Sequence, residues 1–162
     1  VMGVGKTFGE AMLKSQLGAG SRLPTKGNVV ISVKASEHAR AAAVAKALHT
    51  LGFGIVATKG TGVAIAAAGV PVKFVNKIKD GRPHIADLIK AGEVQLVFTT
   101  VDETRTAIAD SRYIRTAALA NRVTYYTTMA GCEAATEALQ HQADLSMGLS
   151  VLSLQELHAE LH

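Results

Sequence analysis

The sequence predicts a three-layer α/β/α fold built on a five-stranded parallel sheet. Three observations predict it. From residue 28 onward, short β-branched runs alternate with segments of helical periodicity. The strand runs are apolar almost throughout, as in strands covered on both faces. Hydroxyl and cationic residues collect just after each run, where open parallel sheets keep their ligands.

The chain opens with KTFGEAMLKSQL (6–17), read as an amphipathic helix with Phe8, Ala11 and Met12 on one side. GAGSRLPTKG (18–27) comes next, rich in glycine and poor in apolar residues, which is linker chemistry. The first helix is therefore expected to stand apart from the rest of the fold. NVVISV (28–33) is the first strand. Residues 36–52 form a helix with Ala41, Val44, Leu48 and Leu51 inward, Ser36 as N-cap and Gly52 as stop. GIVAT (54–58) is the second strand, and GVAIAAAG (62–69) a short helix. KFVNK (73–77) is the third strand, and residues 84–92 a helix with Ile85, Leu88 and Ile89 inward. VQLVFTT (94–100) is the fourth strand, 108–121 a helix, VTYYTT (123–128) the fifth strand and 130–141 a helix. Residues 150–161 add a strand or turn and a last helix.

Composition narrows the function classes. Apolar residues make up 48% and charged residues 19%, which excludes wholesale disorder. With 17 basic and 13 acidic residues the net charge is +4, and aromatics are only 4% with no tryptophan. A nucleic-acid surface needs a dense basic stripe with stacking rings, so a small anion is the better partner. No apolar run is long enough to cross a bilayer and no basic-then-apolar leader is present, so no membrane is expected. The single cysteine, Cys132, makes neither an internal disulfide nor a metal site. The expected setting is a reducing cytoplasm.

The sharpest local pattern is Thr58-Lys59-Gly60-Thr61-Gly62. The glycines allow close approach of a ligand, and the helix expected from about Gly62 directs its N–H groups at the loop. Thr58 and Thr61 offer hydroxyls, and Lys77 on the neighbouring strand end offers a full charge. Together they read as a cradle for a phosphate monoester, or more simply as a capped strand-to-helix turn and a solvated lysine. Thr99-Thr100 and Thr127-Thr128 either face a sugar or base or express β propensity alone. His38 is a ligand hydrogen-bond partner or a surface histidine. GVGKT (3–7) lacks the spacing and preceding strand of a P-loop. The nearest carboxylates, Asp80, Asp87 and Asp102, read as turn or cap residues, and no nucleophile–base–orienter set emerges. No catalytic residue and no metal ligand is therefore assigned.

The runs VMGVGKTFGEAMLKSQLG, ATKGTG, VNKIKDGRPHIADLIKAGE, DSRYIRTAAL and VTYYTT occur in this order along the chain. In them the sequence resembles the C-terminal end of the carbamoyl-phosphate synthase large subunit. The resemblance implies that residues 1–20 are the last helix of a preceding synthetase unit, 21–27 a linker, and 28–162 an allosteric domain of methylglyoxal-synthase-like fold. It implies a domain without cofactor of its own in a parent enzyme that uses ATP with Mg or Mn. The partners implied are the rest of the large subunit and a glutaminase small subunit. The effectors implied are UMP as inhibitor, with IMP and ornithine as activators, in control of carbamoyl phosphate synthesis for pyrimidines and arginine. By matched position, the nucleotide phosphate meets Thr58, Lys59, Gly60, Thr61 and Lys77. The ribose and base meet His38, Thr99 and Thr100, and ornithine meets Tyr125 and Thr127. Two positions depart from the family pattern: His38 replaces a lysine, and Thr99 replaces an asparagine. The competing enzyme reading is a stand-alone methylglyoxal-synthase-like lyase acting on a triose phosphate. Arg82 stands where that enzyme has its proton-abstracting aspartate, so no lyase activity is expected. A third reading is an oligomerisation domain without ligand.

Overall fold

A computed structural model describes residues 1–101, 104–144 and 148–160. Five parallel strands form one sheet: β1 (Asn28–Ser32), β2 (Gly54–Thr58), β3 (Lys73–Val75), β4 (Leu96–Thr99) and β5 (Thr124–Tyr126). Their spatial order is β3-β2-β1-β4-β5, so strand order reverses between β1 and β4. Seven helices accompany them: α1 (Phe8–Gly18), α2 (His38–Thr50), α3 (Lys59–Ala67), α4 (Ile85–Lys90), α5 (Arg105–Ala120), α6 (Met129–Ala143) and α7 (Leu154–Glu160).

The alternation of side chains along each strand divides the core in two. Val29 and Ile31 of β1 and Phe98 of β4 pack with Leu48 of α2, Ile65 of α3 and Leu139 of α6. Val30, Val56 and Val97 point the other way, onto Ile85 and Ile89 of α4 and Ile114 of α5. Helices cover both faces, as the unbroken apolar strands require. β3 departs from this rule: it is an edge strand, and Phe74 is 52% exposed.

Several boundaries differ from the sequence expectation, each for a local reason. α3 begins at Lys59 rather than Gly62, so Lys59, Gly60 and Thr61 are its first turn and not a loop. Ser36 does not cap α2; residues Ala35–Glu37 form a 3-10 turn and the α-helix starts at His38. Thr128 leaves the fifth strand to cap α6, its Oγ1 accepting from Gly131 N at 3.1 Å. Thr104 caps α5 in the same way through Ala107 N. Residues 150–153 form no strand.

The largest departure concerns α1, which is docked rather than detached. It packs along α6, and at Gly9 the two backbones touch: a Cβ there would lie 2.7 Å from the Glu137 carbonyl oxygen. Gln16 Oε1 accepts from the Tyr126 hydroxyl at 2.8 Å, and Gln142 donates to Pro24 O. Buried Glu10 is the centre of this joint. Its carboxylate accepts from Lys6 N at 2.9 Å, from Ser150 N at 2.7 Å and from Ser150 Oγ at 2.5 Å, with Lys14 Nζ 3.1 Å away.

This packing generates two testable outcomes. The Ser150 hydroxyl and N–H, then Lys6 N–H and Lys14, hold the Glu10 carboxyl well below its usual range. As pH falls the unfolded chain takes up this proton first, so the stabilisation is complete above about pH 5 and declines through the usual glutamate range, about 4.3. The gap in urea midpoint between wild type and Glu10→Gln is expected to be widest at pH 7 and to narrow by pH 3; a gap independent of pH would refute the role. Cys132 is fully buried, and burial, aided by Glu37 and Glu133, pushes its thiol up to about 12. Ellman's reagent should therefore leave the folded protein unlabelled and modify one thiol per chain in urea. Equal rates in both conditions would contradict the packing.

Candidate functional site

The two helical layers part above the carboxyl ends of β1 and β4. Side-chain parity places Ser32, Thr58 and Thr99 on the same face as Val30, Val56 and Val97. Ser32 is the register partner of Thr99, and its Oγ lies 3.0 Å from Thr58 Oγ1. Three hydroxyls thus form a row across the three central strands.

A hollow of about 330 Å³ opens at this point. Ser32 and Thr99 line it at the strand ends, with Val33, Lys34 and Thr100 continuing from them. The turn after β3 contributes Lys77, Ile78 and Lys79, and α5 contributes Ala107, Asp110, Ser111 and Ile114. Ile85 from α4 completes an apolar wall with Ile78 and Ile114. The volume suits a small ligand. Among the described residues lining it, three lysines face one aspartate. Lys34 Nζ lies 3.6 Å from Glu37 Oε1; Lys77 and Lys79 have no ion pair among the described residues.

The sequence-predicted residues separate into three groups. Lys77, Thr99 and Thr100 come together in the hollow. Thr100 Oγ1 is already used, accepting from Lys34 N at 3.0 Å and donating to Glu37 at 2.5 Å, so it fixes the β1 exit against β4. Thr58 and Thr61 lie behind the hollow, each 1% exposed. Thr58 bonds Ser32, and Thr61 Oγ1 accepts from Val33 N and donates to Val33 O. Their hydroxyls are therefore structural in this arrangement rather than free ligand donors. What the TKGTG turn presents outward is exposed Lys59 and Gly60 and the N–H groups of the first turn of α3, which lack intrahelical partners. The His38 ring stands beside Gly60, where a Cβ would lie 3.5 Å from its Cε1. Tyr125 lines a separate hollow beside β5, and Thr127 is exposed between β5 and α6.

Sequence reasoning placed Lys34 and Lys79 at strand ends without giving them a role, and it missed Ser32, Asp110 and Ser111. The signal for the last two was helical spacing: Ala107, Asp110, Ser111 and Ile114 recur at three- and four-residue steps along one face of α5. Asp102 lies outside the described residues. Asp87 is tied to Arg82, with Nη2–Oδ1 at 2.6 Å; that guanidinium, then the His84 N–H, pushes its carboxyl down to about 2. Ser32 Oγ meets Thr58 Oγ1 at 3.0 Å.

Comparison with known proteins places this arrangement. The description "MGS-like domain" matches residues 40–127, more than half of the chain. A solved structure described as that of ForH superposes with a TM-score of 0.54 at 15% identity, covering 82% of this chain and 86% of that one, a likeness of fold alone. The carbamoyl phosphate synthase large chain of Ralstonia nicotianae is 68% identical over 161 residues, 99% of this chain and 14% of its own length. The large chains of Neisseria meningitidis, at 45%, and Pseudomonas putida, at 47%, match over the same 161 residues. This chain thus spans only 14–15% of the length of these relatives. The switch-point hollow, the helices on both faces of a parallel sheet and the matched residues lead to one conclusion: the chain belongs to the MGS-like domain family, and along nearly its whole length it resembles a segment of carbamoyl phosphate synthase large chains.

Proposed function

We propose that this chain is the allosteric domain of a glutamine-hydrolysing, ATP-dependent carbamoyl-phosphate synthase, a cytoplasmic ligase serving pyrimidine and arginine synthesis. Its role is to bind a nucleotide monophosphate such as UMP or IMP. The observation that carries the reading is the hollow at the β1/β4 reversal, lined by Lys77 and Lys79, which have no ion pair among the described residues, by the hydroxyls of the strand ends and by an isoleucine wall. A nucleoside monophosphate presents a dianion, a ribose and a flat apolar ring with polar edges. Lys77 suits the dianion; the first-turn N–H groups of α3, and His38 beside Gly60, are further donors outside the lining of the hollow. Thr99 and Asp110 suit hydroxyls and ring N–H groups, and Ile78, Ile85 and Ile114 suit the ring faces. Thr58 and Thr61 position Ser32 and Val33.

The domain regulates by linkage: a nucleotide that favours one arrangement of the domain shifts the synthetase unit attached to it. Such coupling is typically about 1–3 kcal/mol and is reciprocal. A chain of contacts from β4 to the leading helix supports this role for α1. Phe98 precedes Thr99 on β4 and meets the Tyr126 ring edge-on at 5.8 Å, and the Tyr126 hydroxyl reaches Gln16 of α1. The flank at Tyr125 and Thr127 is the proposed ornithine side. ATP with Mg or Mn, and a glutaminase subunit, belong to the parent enzyme.

Calorimetric titration of the 162-residue protein with UMP, IMP and ornithine tests the reading. Lys77 is exposed, so its loss leaves the core intact. Charge-assisted bonds contribute about 1.5–3 kcal/mol, so Lys77→Ala should weaken nucleotide binding roughly tenfold or more. Unchanged affinity would overturn the phosphate assignment, and release of methylglyoxal from dihydroxyacetone phosphate would favour the lyase.

A further inference from the structure

An ion pair borders the hollow at the β1/β4 reversal, and its two members are held unequally. Glu37 closes the 3-10 turn that leads into α2, and its carboxylate is anchored without help from a cation: Oε2 accepts from the Thr100 hydroxyl at 2.5 Å. Thr100 is fixed in turn, its Oγ1 accepting from Lys34 N at 3.0 Å and its N–H donating to Ser32 O at 3.0 Å. Glu37 thus belongs to the frame that joins the β1 exit to the end of β4, with its side chain only 14% exposed. Lys34 is the looser member. Its Nζ lies 3.6 Å from Glu37 Oε1, beyond hydrogen-bond reach, and its side chain is 38% exposed and lines the hollow. Lys77 and Lys79 line the same hollow, and Asp110 is the one carboxylate among the described residues that does so.

We propose that Lys34 is a further anion ligand of this hollow, held in reserve by Glu37, and that only a dianion draws it across. The pair is widely spaced and partly exposed, so breaking it costs little. A lysine carries a point charge on a long flexible stem, so the ammonium can change partner while the backbone stays in place. Glu37 keeps its bond to Thr100 when Lys34 leaves, so no carboxylate is stranded. The anchored carboxylate also sets the threshold for the exchange. A monoanion offers the ammonium no more charge than Glu37 already does, and it meets the charge of Glu37 on entering. It rests on Lys77 or Lys79 and leaves the pair closed. A phosphate monoester above its second ionisation carries two charges and three acceptor oxygens, and it outweighs the carboxylate. The ligand class that triggers the exchange is therefore the phosphate monoester, whereas diesters and carboxylates enter without it. This deepens the nucleotide reading and rests on its anion part alone, with no contact to ribose or base. What it adds is a response at the β1 exit that follows the second charge on the ligand rather than occupancy.

The probes are inorganic phosphate and dimethyl phosphate at pH 8, the first a dianion and the second a monoanion. Each is titrated at constant ionic strength into the isotope-labelled 162-residue protein and followed by amide NMR shifts. Glu37→Gln keeps an acceptor for Thr100 and removes the competing charge. It should fold with the urea midpoint of wild type and bind phosphate at least about threefold more tightly. The double variant Lys34→Ala, Glu37→Gln removes the pair as a neutral unit. It should weaken phosphate roughly threefold or more and leave dimethyl phosphate unchanged, a split that a purely structural pair would not produce. The carboxyl carbon of Glu37 should shift on saturation with phosphate and stay in place with dimethyl phosphate. Absence of phosphate binding, phosphate affinity indifferent to the double variant, or equal losses for both anions would overturn the exchange. UMP is titrated into wild type and the double variant in parallel. UMP failing to bind while phosphate behaves as stated would overturn the nucleotide reading and leave the exchange intact.

Discussion

The reversal of strand order between β1 and β4 is the constraint on which the rest of the molecule depends. The chain leaves β1 toward β2 on one side, and β4 takes its place on the other. Connections from the two strands therefore depart in opposite directions, and a hollow is left where they part. The backbone there ends in Ser32 and Thr99, register partners on one face. Everything assembled around the hollow, from Lys34 and Thr100 to the lysines after β3, is a local answer to that gap. The apolar cores on the two faces, centred on Phe98 and on Val97, keep the neighbouring strand ends fixed.

Much of this was legible in the sequence because it depends on period and composition. The apolar runs of β1, β2 and β4 and the amphipathic pattern of α2 and α4 place their elements without reference to tertiary structure. What was not legible depends on which partner a group meets. TKGTG reads as a loop before a helix from about Gly62; in the structure it is the first helical turn, with Thr61 turned inward to bond both backbone groups of Val33. A hydroxyl in a sequence is a free donor until its neighbour is known, and Thr58 and Thr61 are both taken. Asp110 is the converse case. It lies far along the chain from the strand ends and joins them because α5 packs back across β4.

The linker shows the limit of composition in another way. GAGSRLPTKG has the glycine and proline of a flexible connector, yet Leu23 is buried and Arg22 O is bound by Thr124. Glycine at Gly20 and Gly27 serves the turns, with φ of 74° and 115°, rather than slackness. The same segment that would separate two units by composition joins them by contact.

The touch between Gly9 and the Glu137 carbonyl has a mechanical meaning. Where two helices meet backbone to backbone there is no layer of side chains to shear, so α1 cannot slide on α6 without losing the contact altogether. The leading helix is then a stiff extension of α6 rather than a tether.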